Sequence, residues 1–257
     1  MFRDCWATIM ALNILRHSGT MVVATFCAIA GAFATEERRS PSETVVLLHG
    51  LSRTPRSMSR LERALSAEGY GVLNLAYPAN SQPIEMLPEY LDGRIGWYCR
   101  EPGQKVHFVT HSMGGIVARY YLDTRPSRNL GRVVMLSPPN GGAELIDFAR
   151  KIPLVRTHIG PLRGRVGTGS SDLPAQLGPV RYELGIIAGN PSFNPVFSLL
   201  IPGTDDGVVS VERTKVSGMK DFLVVPHSHT FIMRSREVIR QTVTFLREGA
   251  FDHGGAA

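Results

Sequence analysis

A serine stands where the character of the chain changes abruptly, in Val106-His107-Phe108-Val109-Thr110-His111-Ser112-Met113-Gly114-Gly115. An apolar, β-rich run ends at His111, and small residues then open a helical segment. A hydroxyl lifted above a sheet on a sharp strand-to-helix turn is placed to attack a carbonyl carbon. The backbone strain of such a turn demands small neighbours. Gly114, two residues on, meets that demand. Thr110, two residues before, puts a β-branched side chain where a glycine is usual. The competing reading is a plain serine N-cap ahead of a glycine-rich helix start.

A serine hydroxyl needs a base, and the chain holds eight histidines. In a strand-turn-helix hydrolase the base follows the last strand. The segment Val224-Val225-Pro226-His227-Ser228-His229 offers two candidates there. His229, directly before the closing helical stretch, is preferred over His227, which is tied to Pro226. His17 and His253 lie near the termini. His107, His111 and His158 are expected to serve packing or local hydrogen bonds. The third member must be a carboxylate that holds the imidazole in one tautomer, and it should fall between the serine and the histidine. Gly203-Thr204-Asp205-Asp206-Gly207 is the candidate loop, with Asp206 preferred, then Asp205, then Glu212; an ordinary Asp-Gly turn is the alternative. Two backbone N–H groups must face the developing oxyanion. Met113, after the serine, supplies one, and Leu51, in the loop His49-Gly50-Leu51, supplies the other.

The elements that must position these residues follow from the pattern. Short apolar runs at 44–48, 71–76, 106–110, 132–136, 182–188 and 222–225 alternate with helical periodicity at 57–68, 84–99, 114–122 and 230–247. Near-continuous Val/Ile/Leu strands between helices indicate an α/β fold, a mostly parallel sheet with helices on both faces. Residues 150–181 break the pattern with repeated Gly and Pro, and are expected to form a short irregular excursion over the carboxyl edge, where open α/β sheets bind ligands. Ile159, Leu162, Val166, Leu173 and Leu177 in it offer an acyl groove, although core packing explains such residues equally well.

Composition bounds the rest. The chain has 257 residues, 43% of them hydrophobic and 19% charged, which excludes a disordered polymer and a multi-span membrane protein. The 28 Lys and Arg exceed the 22 Asp and Glu, for a net charge of +6. These cations are scattered; the densest group, Arg56, Arg60 and Arg63, has no interleaved aromatics, so nucleic acid is not an expected partner. Peripheral contact with an anionic membrane fits the charge. Residues 20–34 are uncharged and end in Ala32-Phe33-Ala34, the pattern of a cleaved signal peptide over 1–34 and of export. The alternative is a retained membrane anchor at 20–34. The remaining 35–257 form the catalytic domain. Cys5 and Cys27 fall in the leader, so Cys99 alone leaves no internal disulfide.

The segments Leu47-Leu48-His49-Gly50-Leu51, Thr110-His111-Ser112-Met113-Gly114-Gly115, Asp206-Gly207-Val208-Val209 and Ser228-His229 together resemble the α/β-hydrolase superfamily, and within it the bacterial-type lipase/esterase group with minimal lids. Ser137-Pro138-Pro139-Asn140-Gly141-Gly142 resembles the turn those lipases carry after the strand that follows the elbow. The resemblance spans roughly 44–247. It implies an α/β-hydrolase fold, Ser112 as nucleophile, His229 as base and Asp206 as acid, with Leu51 and Met113 as the oxyanion hole. It implies hydrolysis of carboxylic esters through an acyl-enzyme; the apolar residues of the excursion point to acyl esters of lipid type, no motif identifies a metal site, and no cofactor is expected. An acyltransferase or thioesterase would share every one of these residues, and a non-catalytic binding protein of the same fold is the reading from another class.

Overall fold

The computed structural model describes residues 42–99, 103–126, 129–156, 160–192 and 195–254, all within the unit Ser40–Ala257. The segment expected to be a signal peptide or anchor lies outside the described residues. Among the described residues, no helix is long and apolar enough to cross a membrane.

The chain alternates strand and helix as its periodicity requires. Strand β1 (Glu43–Leu48) is followed by α1 (Ser59–Ala67), β2 (Gly71–Leu75), α2 (Leu87–Tyr98), β3 (Lys105–His111), α3 (Met113–Thr124), β4 (Leu130–Leu136), α4 (Glu144–Lys151), β5 (Leu184–Gly189), β6 (Asp221–Val225) and α5 (Arg236–Glu248). The strands form one sheet in the order β2-β1-β3-β4-β5-β6, with every neighbour parallel. Because side chains alternate across a strand, β1 serves both faces. Val46 and Leu48 join Phe108, Met135 and the apolar sides of α2 and α3 in one core. Val45 and Leu47 join Val109, Leu136, α1 and α5 in the other. A strand buried on both sides has no polar face to show, which is why the strands read as unbroken apolar runs.

The differences from the sequence expectation have local causes. The closing helix starts at Arg236 rather than near 230, because the loop carrying His229 first makes a 3-10 turn, Ile232–Arg234. Ser235 then caps the helix, its Oγ accepting from the Val238 N–H at 3.4 Å. Helix α4 had no counterpart in the sequence pattern. After α4 ends at Lys151, the described residues up to 181 contain only single turns, Pro153–Arg156, Arg163–Arg165 and Leu173–Gln176. Leu162, Val166 and Leu173 are all buried in the core shared with α2 and α3.

Candidate active site

Ser112 occupies the turn between β3 and α3 with φ 53° and ψ −125°, and its side chain caps nothing. That excludes the plain N-cap reading, since a capping serine is extended and its oxygen accepts from the first helical turn. The turn closes tightly on β1: a Cβ on Gly114 would sit 2.4 Å from the Leu48 carbonyl oxygen. Thr110 Oγ1 lies 3.4 Å from where a Cβ on Gly115 would be.

The loops after β5 and β6 bring the partners in. His229 Nε2 is 2.9 Å from Ser112 Oγ, and His229 Nδ1 is 2.8 Å from Asp206 Oδ2. The second carboxylate oxygen accepts from the N–H groups of Val208 at 3.0 Å and Val209 at 2.9 Å. The backbone completes the clasp, with the His229 N–H donating to the Asp206 carbonyl at 3.0 Å. Burial alone would raise the Asp206 pKa; the imidazole beside it, the Val209 N–H and the Ser137 hydroxyl hold it below the usual carboxylate range instead. A carboxylate there stays ionised at neutral pH and fixes the proton of the ring on Nδ1, leaving Nε2 to accept from the serine.

The weaker sequence alternatives lie elsewhere. His227 Nε2 is 2.8 Å from Ser235 Oγ, at the start of α5. Asp205 braces its own loop, accepting from the Gly207 N–H at 2.7 Å and the Ser198 hydroxyl at 3.0 Å. Glu212 pairs with Lys215 on the surface. His107 accepts from the Arg132 N–H, His253 meets Asp221, and His158 and His17 lie outside the described residues.

One contributor, Ser137, escaped the sequence reading, while His111 makes the local hydrogen bond expected of it. Ser137, at the end of β4 with φ 46°, is fully buried; its oxygen accepts from the Gly189 N–H at 3.2 Å while its hydroxyl supports Asp206. Only its place in the turn after β4 gave a signal. His111, next to the serine, is buried with Nε2 2.9 Å from the His229 carbonyl oxygen. Burial first, then the neighbouring His229, hold its pKa well below 6.5, so the ring is neutral and carries its proton on Nε2.

Leu51 and Met113 stand beside the serine at the wall of one cavity of about 520 Å³, which Leu145, Ile146, Val166 and Phe197 also line. Met113 opens α3, so its N–H has no partner within the helix. The backbone before Leu51 lies close: a Cβ on Gly50 would come within 3.2 Å of the Ser112 Cβ. Tyr77 holds that loop by donating to the His49 carbonyl at 2.5 Å. Of the expected groove residues among the described ones, only Val166 reaches this cavity. Leu177 lines a separate one with Arg119 and Tyr182, and Ile159 lies outside the described residues. Among the described residues, no cluster of His, Cys, Asp and Glu could hold a metal ion.

The arrangement is a hydrogen-bonded chain of serine, histidine and aspartate at an apolar cavity, and comparisons with known proteins agree with the fold that presents it. A lipase from Bacillus licheniformis in its propeptide form superposes with a TM-score of 0.65 at 18% identity, over 82% of this chain and 51% of that one. A phospholipase from Legionella pneumophila gives 0.62 at 18% identity, over 80% and 58%. An esterase from Pyrococcus furiosus gives 0.53 at 20% identity, over 80% and 81%. The chain thus spans about half the length of the propeptide-form lipase. No curated protein sequence matches it. The model of the alpha/beta hydrolase family matches residues 45–238, a stretch that includes Ser112, Asp206 and His229. With the parallel sheet and the turn at Ser112, that match shows that the chain belongs to the alpha/beta hydrolase family.

Proposed function

We propose that this protein hydrolyses carboxylic esters with apolar acyl groups, using Ser112 as nucleophile, His229 as general base and Asp206 as the orienting acid. The observation that carries this reading is the unbroken hydrogen-bond chain from Ser112 Oγ through His229 to Asp206, opening on an apolar cavity. As Ser112 Oγ bonds to the carbonyl carbon, its proton passes to His229 Nε2. Asp206 stabilises the imidazolium so formed. The oxyanion faces the N–H groups of Met113 and Leu51. Collapse breaks the C–O bond to the leaving alcohol, which takes the proton from His229. Water, deprotonated by the same ring, then releases the acid from the acyl-enzyme.

The aliphatic walls supplied by Leu145, Ile146 and Val166 favour an acyl chain over a charged substituent. The lipase, phospholipase and esterase that share the fold point the same way. A fluorophosphonate probe and a series of p-nitrophenyl esters of increasing acyl length test the reading. The wild-type protein is expected to label and to prefer medium chains over acetate. Ser112→Ala is expected to lose labelling and at least about 10³-fold in kcat, with its thermal midpoint nearly unchanged. Labelling that survives in Ser112→Ala would displace the nucleophile.

A further inference from the structure

We propose that the mouth of this cavity is a docking surface for an anionic lipid bilayer, formed by the outer edge of α4, the turn Pro195–Ser198 and Phe231. The inference deepens the ester-hydrolase reading and rests on it only for what docking is for.

Helix α4 carries its apolar stripe the wrong way round for a soluble surface. Leu145, Ile146 and Ala149 line the cavity, and the same stripe continues outward through Phe148 and Ile152, which are 45% and 37% exposed. No side chain of this helix is fully buried. Its polar side is what fastens it to the protein. Glu144 pairs with Arg213 at 3.0 Å, Asp147 accepts from the Thr168 hydroxyl at 2.7 Å, and Arg150 pairs with Asp172 and bonds the Gly164 carbonyl. An ordinary surface helix buries its apolar stripe and solvates the polar one.

The other segments around the cavity repeat the theme. Phe197 forms part of the wall, while Val196 and Leu199 beside it are 64% and 87% exposed. Phe231, two residues after His229, is 51% exposed, with the Arg234 guanidinium over its ring at 5.9 Å. Singly, such residues are normal on a surface. Gathered from three segments around one opening, they make an apolar patch that marks an interaction site.

Charge selects the occupant. Of the carboxylates near the opening, Glu144, Asp147 and Asp172 are paired with arginine, and Asp205, which accepts from Ser198 of the turn, is buried in its own loop. Arg53 and Arg163 in the cavity wall, Lys151 on α4 and Arg234 beside Phe231 have no carboxylate at ion-pair distance among the described residues. Exposed apolar side chains among unneutralised cations match a surface of acyl chains beneath anionic head groups. A second copy of this chain would set these cations against its own.

Flotation with vesicles of ether-linked lipids tests the surface, using Ser112→Ala so that no ester is cleaved and binding alone is read. Phosphatidylcholine mixed with phosphatidylglycerol is expected to bind the protein, less so in high salt, and phosphatidylcholine alone to bind it weakly. Phe148→Asp with Leu199→Asp is expected to reduce binding about tenfold or more. In the Ser112 background the same pair is expected to leave hydrolysis of a soluble short-chain ester unchanged. No binding to the mixed vesicles, or binding indifferent to the paired substitution, would overturn the proposal, as would a solution dimer that the pair dissolves. Vesicle binding by a protein that hydrolyses no ester would leave this surface standing and remove the activity instead.

Discussion

His111 Nε2 lies 2.9 Å from the backbone oxygen of His229, and the two imidazoles pack with centroids 4.9 Å apart. The residue before the serine thus anchors the loop that carries the candidate base. It does so only as a neutral donor, because burial and the neighbouring ring hold its pKa well below 6.5. In the unfolded chain the same imidazole protonates near 6.5.

The first prediction follows from that difference. Below the unfolded pKa the unfolded state binds the extra proton, so His111 contributes stability above about pH 6.5 that is lost as the pH falls, at up to about 1.4 kcal/mol per unit. His111→Gln keeps a donor toward the His229 carbonyl and removes the titration. Urea unfolding midpoints measured from about pH 7.5 to about pH 5 should therefore fall more steeply for the wild type than for the variant. His49 and His107 are also shifted downward by burial, so the comparison between the two proteins carries the test. Parallel profiles would mean that His111 is not held neutral. His111→Leu, which leaves the His229 carbonyl buried and unpaired, should lose about 1–3 kcal/mol at every pH.

The second prediction separates two adjacent carboxylates. Asp206 meets the imidazole; Asp205 braces the loop against Gly207 and Ser198. Asp206→Asn replaces the charge and presents an amide to Nδ1, which favours the wrong tautomer, and kcat should fall by about 10⁴-fold. Asp205→Asn keeps an acceptor oxygen for the Gly207 N–H and should change kcat only a few-fold. The opposite ranking in steady-state kinetics would move the acid by one residue.

Much of this was legible before any coordinates. The strand at 44–48, the small residues after Ser112 and the order serine, aspartate, histidine each leave a local signature, and the structure brings Ser112, Asp206 and His229 together. What was not legible depends on contacts distant in sequence. Helix α4 shows an amphipathic stripe, but its apolar side faces a cavity and solvent instead of the core, so periodicity gave no reason to expect where it lies. Leu162 and Leu173 look the same in sequence as Val166. All three are buried in the core shared with α2 and α3, and Val166 alone of them also lines the cavity beside Ser112, a distinction set by the path of an irregular chain. The support that Ser137 gives Asp206 joins β4 to a loop after β5 and has no spacing rule.

The last prediction concerns the one departure from the small-residue pattern around the serine. Thr110 is fully buried in β3, and its Oγ1 has no hydrogen-bond partner among the described residues. A Cβ on Gly115 would meet Thr110 Oγ1 at an ordinary 3.4 Å but would come within 2.9 Å of the Pro138 Cβ. The threonine hydroxyl remains unsatisfied, a condition that costs about 1–3 kcal/mol. Thr110→Val has nearly the same shape without the hydroxyl. It should raise the thermal midpoint, by about 2–4 °C for each kcal/mol recovered in a domain of this size, and leave kcat unchanged because Thr110 does not line the cavity. Gly115→Ala, which keeps the hydroxyl and fills the space it borders, should lower the midpoint instead. Calorimetry on the three proteins decides it: a lower midpoint for Thr110→Val would mean that the hydroxyl has a partner and that the threonine is held by a hydrogen bond.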